Sequence, residues 1–357
     1  MQIHPLLQDP QAVLVVRREI TGPPGWEDFR GAGRAALQAL QIKWEGERVV
    51  IKPNLTSGEH FADPDNGITT HPGFVQGIVE HFRAQGTPAR RITIAEDPRN
   101  SNDNQPRHWR KTGFDRLAEE SGVRLYTTTT YTCAKQTVPH PLAHPVLNVS
   151  RLAVGPDVLL INVPKLKTHN LAITTLCMKN LMGLVNTRDR HYCAQAWNEL
   201  FGPNHTEQRP KAEWMDRSLH RQWQSGLARR LADTAQVIRP SLNLVEGIVG
   251  REGTGFQRGR NRLLGLAVAG VNIAAVDSLT SYLMGFDPQD LVYLQVAAAA
   301  GLGETDVSRL RVYTPAPDAP GGLRPVSPEE FRVDPPMQVI SDILGEDPNL
   351  LKETIIP

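Results

Sequence analysis

Short apolar, β-branched runs alternate along the chain with stretches of helical period. Residues 12–18 (AVLVVRR) precede 26–40 (WEDFRGAGRAALQAL), residues 48–54 (RVVIKPN) precede 71–86 (HPGFVQGIVEHFRAQG), and residues 91–97 (RITIAED) precede 114–122 (FDRLAEESG). This order predicts βαβ units and an α/β fold, a mostly parallel sheet flanked by helices. It resumes with strands at VRLYT, DVLLINVP, SLNLVEGIV, LLGLAVAG and RLRVYT. Helices are expected around 173–185, over 272–284 and over 288–300. Residues 1–315 read as one core domain, with 198–226 as an inserted helical lid. Residues 316–357 read as a Pro-rich tail whose last part, from Met337, docks back through a short amphipathic patch.

In such sheets ligands gather where strands end and helices begin. Ionisable and amide residues fall there repeatedly. Lys52, Pro53 and Asn54 follow VVI; Glu96 and Asp97 follow ITIA; Lys165, Lys167, Thr168 and His169 follow LLINVP; Glu246 and Gly247 follow LNLV. Lys165 and Lys167 differ by two, so on a continuing strand they project to one side, favouring an anion between them. Thr175, Lys179 and Gly183 stand at four-residue spacing on an otherwise apolar segment, a polar strip that faces a cavity or, for a snorkelling Lys179, the solvent.

Composition narrows the partners. Thirty-nine Lys and Arg against 38 Asp and Glu give a formal charge of +1, so anion recognition is local and no global field points to nucleic acid or a membrane. The Arg-rich stretch 217–230 reads as a solvated amphipathic helix, a lid or subunit contact. No run reaches transmembrane length and no signal-like start is expected. Cys133, Cys177 and Cys193 form neither an even framework nor a CxxC pair, which suits a reducing, cytoplasmic setting. A homodimer is the expected assembly for an enzyme of this size.

The segments VVIKPNL, DVLLINVPKLKTHNLAITTLCMKNLMGLV, LVEGIVGREGTGFQRG and LAVAGVNIAAVDSLTSYLMGFDPQDLVYLQVAAAAGLG together resemble the family catalogued as domain of unknown function 362, over about 46–303. The resemblance implies the fold and marks Lys52, Asn54, Lys165, Lys167, His169, Lys179, Asn180, Gly183, Glu246, Gly247, Glu252, Gly253 and Asp277 as motif positions. It names no reaction. Many relatives carry a ferredoxin-like, cysteine-clustered segment; this chain has none, so no iron–sulfur cluster is expected within it.

The glycines of GREGTGFQRG fit neither GxGxxG nor the P-loop spacing, and a hairpin carrying Glu252 is the more natural reading. A four-ligand zinc set of His169, Cys177, His191 and Cys193 lacks compact pairs. A divalent metal on Glu246, Glu252 or Asp277 stays open, as does Asp277 pairing with a lysine or capping a helix. The expected function is an enzyme acting on a small anionic metabolite, a carboxylate or phosphate. In it Lys52, Asn54, Lys165, Asn180, Arg188 and Arg190 bind, and Lys179, His169 and Lys167 carry the proton or amine chemistry of a lyase, isomerase or transferase. The alternative is a non-catalytic protein binding an anionic cofactor, a metal complex or an iron–sulfur partner.

Overall fold

The computed structural model describes residues 1–55, 67–97, 107–129, 132–202, 217–256, 258–319 and 322–340. Its strands are β1 (Ala12–Arg17), β2 (Arg48–Pro53), β3 (Ile92–Glu96), β4 (Arg124–Thr127), β5 (Cys133–Thr137), β6 (Val146–Ser150), β7 (Val158–Val163), β8 (Lys165–His169), β9 (Ile173–Thr175), β10 (Leu242–Arg251), β11 (Asn261–Gly270), β12 (Arg311–Pro315) and β13 (Leu323–Pro325). Its helices are α1 (Trp26–Ala39), α2 (Pro72–Ala84), α3 (Arg107–Lys111), α4 (Phe114–Ser121), α5 (Cys177–Asn180), α6 (Tyr192–Phe201), α7 (Arg217–Val237), α8 (Ile273–Leu283) and α9 (Val292–Ala299).

The main sheet runs β13-β12-β1-β11-β10-β7-β2-β3-β4, with β8 and β9 branching from β10. Strands β10, β7, β2, β3 and β4 are parallel neighbours, whereas β11 runs antiparallel between β10 and β1. Alternation within each strand feeds two cores. Leu14, Val49, Ile51 and Ile94 enter the layer of α1, α2 and α4, while Val13, Val15, Val50 and Ala95 enter the layer of α5 to α9. Every strand read from the sequence is present. A chain buried on both faces reads as continuous apolar runs, which is why these strands were visible.

Two segments depart from expectation. The helix expected around 173–185 is instead strand β9, the single turn α5 and a 3₁₀ turn over Leu181–Leu184. Ile173 sits at φ +67°, a left-handed conformation unusual for a β-branched residue, so helix cannot begin there. The Pro-rich tail is partly sheet: β13 pairs antiparallel with β12. Further on, Gly253 N donates to Gln338 O and Ile340 N to Gly253 O, so residues 338–340 do dock back, while 341–357 lie outside the described residues. Of the stretch 198–226, residues 203–216 also lie outside them; the flanking parts are the end of α6 and the start of α7, where Trp223 is buried against Trp197.

Candidate functional site

Strand order reverses at β2: the chain leads outward through β3 and β4, then returns to β7 on the other side of β2. A crevice therefore opens beyond the carboxyl ends of β2, β3 and β7. Polar side chains fill its floor. The buried Lys52 Nζ ion-pairs with Glu96 and donates to Asn180 Oδ1 at 3.1 Å and to Pro53 O at 2.8 Å. Asn180 Nδ2 donates back to Lys52 O at 3.2 Å and to Asn162 Oδ1 at 2.8 Å, and Asn162 Nδ2 reaches Cys177 O and Asn243 Oδ1, both at 3.0 Å. Burial pulls the Lys52 ammonium down and Glu96 pulls it back up. Gly183 presses on this pair so closely that a Cβ there would overlap the Glu96 carboxylate.

Over this floor lies a cavity of about 390 Å³. Its polar side carries Asn54, Glu96, Asp97, Thr175, Lys179, Asn180 and Arg190, and its far wall is Tyr192, Cys193, Ala194, Trp197 and Trp223 from α6 and α7. Arg190 Nη1 ion-pairs with Asp97 at 2.8 Å, and Thr187 Oγ1 donates to the same carboxylate oxygen. Asn54 is fixed through its main chain, its N–H donating to Thr70 Oγ1 at 2.8 Å. Lys179 is half-buried and, among the described residues, makes no hydrogen bond or ion pair.

The turn α5, which presents Lys179 and Asn180, is held by Asp277 of α8. Its Oδ1 accepts from Cys177 N at 2.7 Å and its Oδ2 from Met178 N at 3.0 Å, satisfying two of the donors a helix start leaves open. Burial still pushes this carboxyl up to about 7. Of the roles open to Asp277, helix capping is the one observed, and no lysine pairs with it among the described residues.

The other predicted residues stand apart from the cavity. Lys165 and Lys167 do share one strand side, yet no anion site lies between them. Lys165 Nζ meets Glu246 Oε2 at 2.6 Å with both side chains fully buried, and Lys167 Nζ donates to Ile68 O at 2.9 Å. Burial, with Lys179, Lys165 and Arg251 nearby, brings the Lys167 amine down to about 7. His169 Nδ1 accepts from Leu171 N at 3.0 Å and Ala172 N at 3.1 Å, closing the β8–β9 turn. Burial and the two neighbouring ammonium groups hold its imidazole well below the usual range, so it is neutral at pH 7. Arg188 is exposed and does not line the cavity. Glu252 pairs with Arg260 and Arg262 on the β10–β11 hairpin.

Glu246, Glu252 and Asp277 thus each serve a different neighbour. Among the described residues no three His, Cys, Asp or Glu side chains come together as metal ligands. Sequence reasoning saw Glu96 and Asp97 as strand-end acids but gave them no role. It read the stretch holding Trp223 as a lid but gave no role to an aromatic wall, because Trp197 and Trp223 sit in helices far along the chain with no spacing that signals a cavity.

Among curated proteins, a thylakoid-associated protein of Synechocystis sp. is 26% identical over 264 residues, covering 73% of this chain and 70% of that protein. Among solved structures, a crystal structure of a Thermotoga maritima protein aligns with a TM-score of 0.43 and 12% identity over 82% of this chain; the chain spans 61% of that protein's length. Among the described residues no helix is long and apolar enough to cross a membrane. The model of the domain of unknown function DUF362 matches residues 49–281, a span holding every cavity residue named above, and the chain belongs to that family.

Proposed function

We propose that the chain is an enzyme acting on a small anionic substrate, a carboxylate or phosphate, held in the cleft beyond β2, β3 and β7. One observation carries this reading: Lys179 lines the cavity with no partner among the described residues, while Lys52 is matched by Glu96 and Arg190 by Asp97. An uncommitted ammonium among neutralised pairs is a seat for one negative charge. Asn54 supplies hydrogen bonds beside it. Lys167 lies outside the cavity lining and donates to Ile68 O, so the amine presented to a ligand is that of Lys179. This favours lyase, isomerase or transferase chemistry. His169 commits its Nδ1 to the turn and lies outside the cavity lining.

The locked state of the floor favours a second reading, a binding protein that holds an anionic cofactor without turnover, since most of its polar groups are already engaged. Three unpaired cysteines support a cytoplasmic setting, and the thylakoid association of the Synechocystis relative makes a membrane-surface location the alternative. Calorimetric titration with inorganic phosphate and acetate tests the site. Binding that is lost in Lys179→Met supports it, and wild-type affinity in Lys179→Met overturns it. Turnover of a bound carboxylate or phosphate ester by wild type separates enzyme from binder.

A further inference from the structure

The two sides of the cleft differ sharply in chemistry. The sheet side bears Lys179, Arg190 and Asn54, whereas the α6–α7 side bears Tyr192, Trp197 and Trp223. Two of these aromatics turn their polar atoms away from any ligand. Trp223 Nε1 donates to Cys193 O at 2.8 Å, and the Tyr192 hydroxyl is bonded to Thr234 Oγ1 at 2.7 Å. Trp197 and Trp223 meet edge to face with centroids 4.9 Å apart, which fixes their rings. Apart from His191 and the Cys193 thiol, the wall therefore offers hydrocarbon and π-surface.

Size points the same way. A cavity of about 390 Å³ falls in the range that encloses organic ligands, and a bare phosphate of five heavy atoms would leave most of it wet. We propose that the ligand is an amphipathic anion, a carboxylate or phosphate carried on a planar, apolar body that lies against Trp197 and Trp223. This rests on the anion reading of Lys179 and adds the class of the remainder. Stacking an aromatic ring against such a wall raises affinity by about 5- to 150-fold.

The test is calorimetric titration of the full chain with inorganic phosphate, phenyl phosphate, acetate and benzoate at pH 7. Phenyl phosphate is expected to bind at least about 5-fold tighter than phosphate, and benzoate to exceed acetate by a similar ratio. Trp223→Ala collapses both ratios. Because Trp223 is buried, Ala194→Gln on the exposed rim of the same wall provides a second variant, expected to lower the ratios without opening the core. Phosphate binding that depends on Lys179, with phenyl phosphate no tighter, overturns this inference and leaves the anion site standing. Failure of all four probes to bind overturns both.

Discussion

Removing the ammonium of Lys165 and keeping Glu246 isolates the energetics of a fully buried ion pair. In Lys165→Met the Glu246 carboxylate retains, among the described residues, two N–H donors, Ile248 N on Oε1 at 3.0 Å and His71 N on Oε2 at 3.3 Å. Its cation, 2.6 Å away in the wild type, is gone. A buried charge stripped of its partner costs about 3–5 kcal/mol. Adding Glu246→Gln removes the charge, keeps an acceptor for Ile248 N, and forfeits the longer bond from His71 N, worth about 1 kcal/mol. The double variant should therefore lie within about 1–2 kcal/mol of wild type, more stable than the single. Urea unfolding followed by tryptophan fluorescence reads this directly. With a slope of about 3 kcal/mol/M the single variant shifts the midpoint down by about 1–1.7 M and the double by less than about 0.7 M. Equal losses in the two variants, or a single-variant loss below about 1 kcal/mol, would refute the reasoning. Phosphate binding by the double variant should match wild type, since neither residue lines the cavity.

Gly183→Ala forces a methyl into the Lys52–Glu96 pair and should destabilise by about 1–3 kcal/mol, seen as a lower Tm, and weaken phosphate binding alongside. Asp277→Ala leaves Cys177 N and Met178 N without acceptors. A loss of about 2–4 kcal/mol in urea unfolding and reduced phosphate affinity are expected, because α5 carries Lys179; intact affinity would show that α5 holds itself. For Lys167 the native amine titrates near 7 against an ordinary 10.5, so between those values the unfolded chain binds more protons than the native one. Stability therefore rises with pH from about 7 to 10.5, by up to about 1.4 kcal/mol per pH unit, and is flat below about 7, where both states are protonated. Lys167→Met should flatten that rise, measured by urea midpoints at pH 6.5, 8 and 9.5.

The strands were legible because a sheet covered on both faces demands unbroken Val, Ile and Leu runs, and 48–54, 158–163 and 242–249 show them plainly. Lys52, Asn54 and Asn180 were legible for a related reason: polar residues placed just after such runs must lie at strand ends. What was not legible depends on three-dimensional partners. Nothing local says that Lys165 will find Glu246, 81 residues away, so two lysines on one strand side read as an anion clamp when one is an internal pair. Thr175, Lys179 and Gly183 matched helical spacing, yet the left-handed backbone at Ile173 and the cap from Asp277 make the segment a strand and a single turn. His169 looked catalytic by residue type; its position at the head of a tight turn decided otherwise.

The pairing of Lys52 with Glu96 and of Arg190 with Asp97 has an ionic-strength consequence. Among the described residues, two acids matched by two cations leave Lys179 as the unmatched positive charge of the cleft. A monoanion neutralises that charge completely, whereas a dianion arrives one charge in excess beside Glu96 and Asp97 and gains by taking up a proton. Added salt should therefore weaken monoanion association only gently, as expected for one screened charge meeting one other across a Debye length of about 10 Å at 0.1 M. Phosphate monoesters should bind with net proton uptake from buffer near neutral pH, and carboxylates with much less.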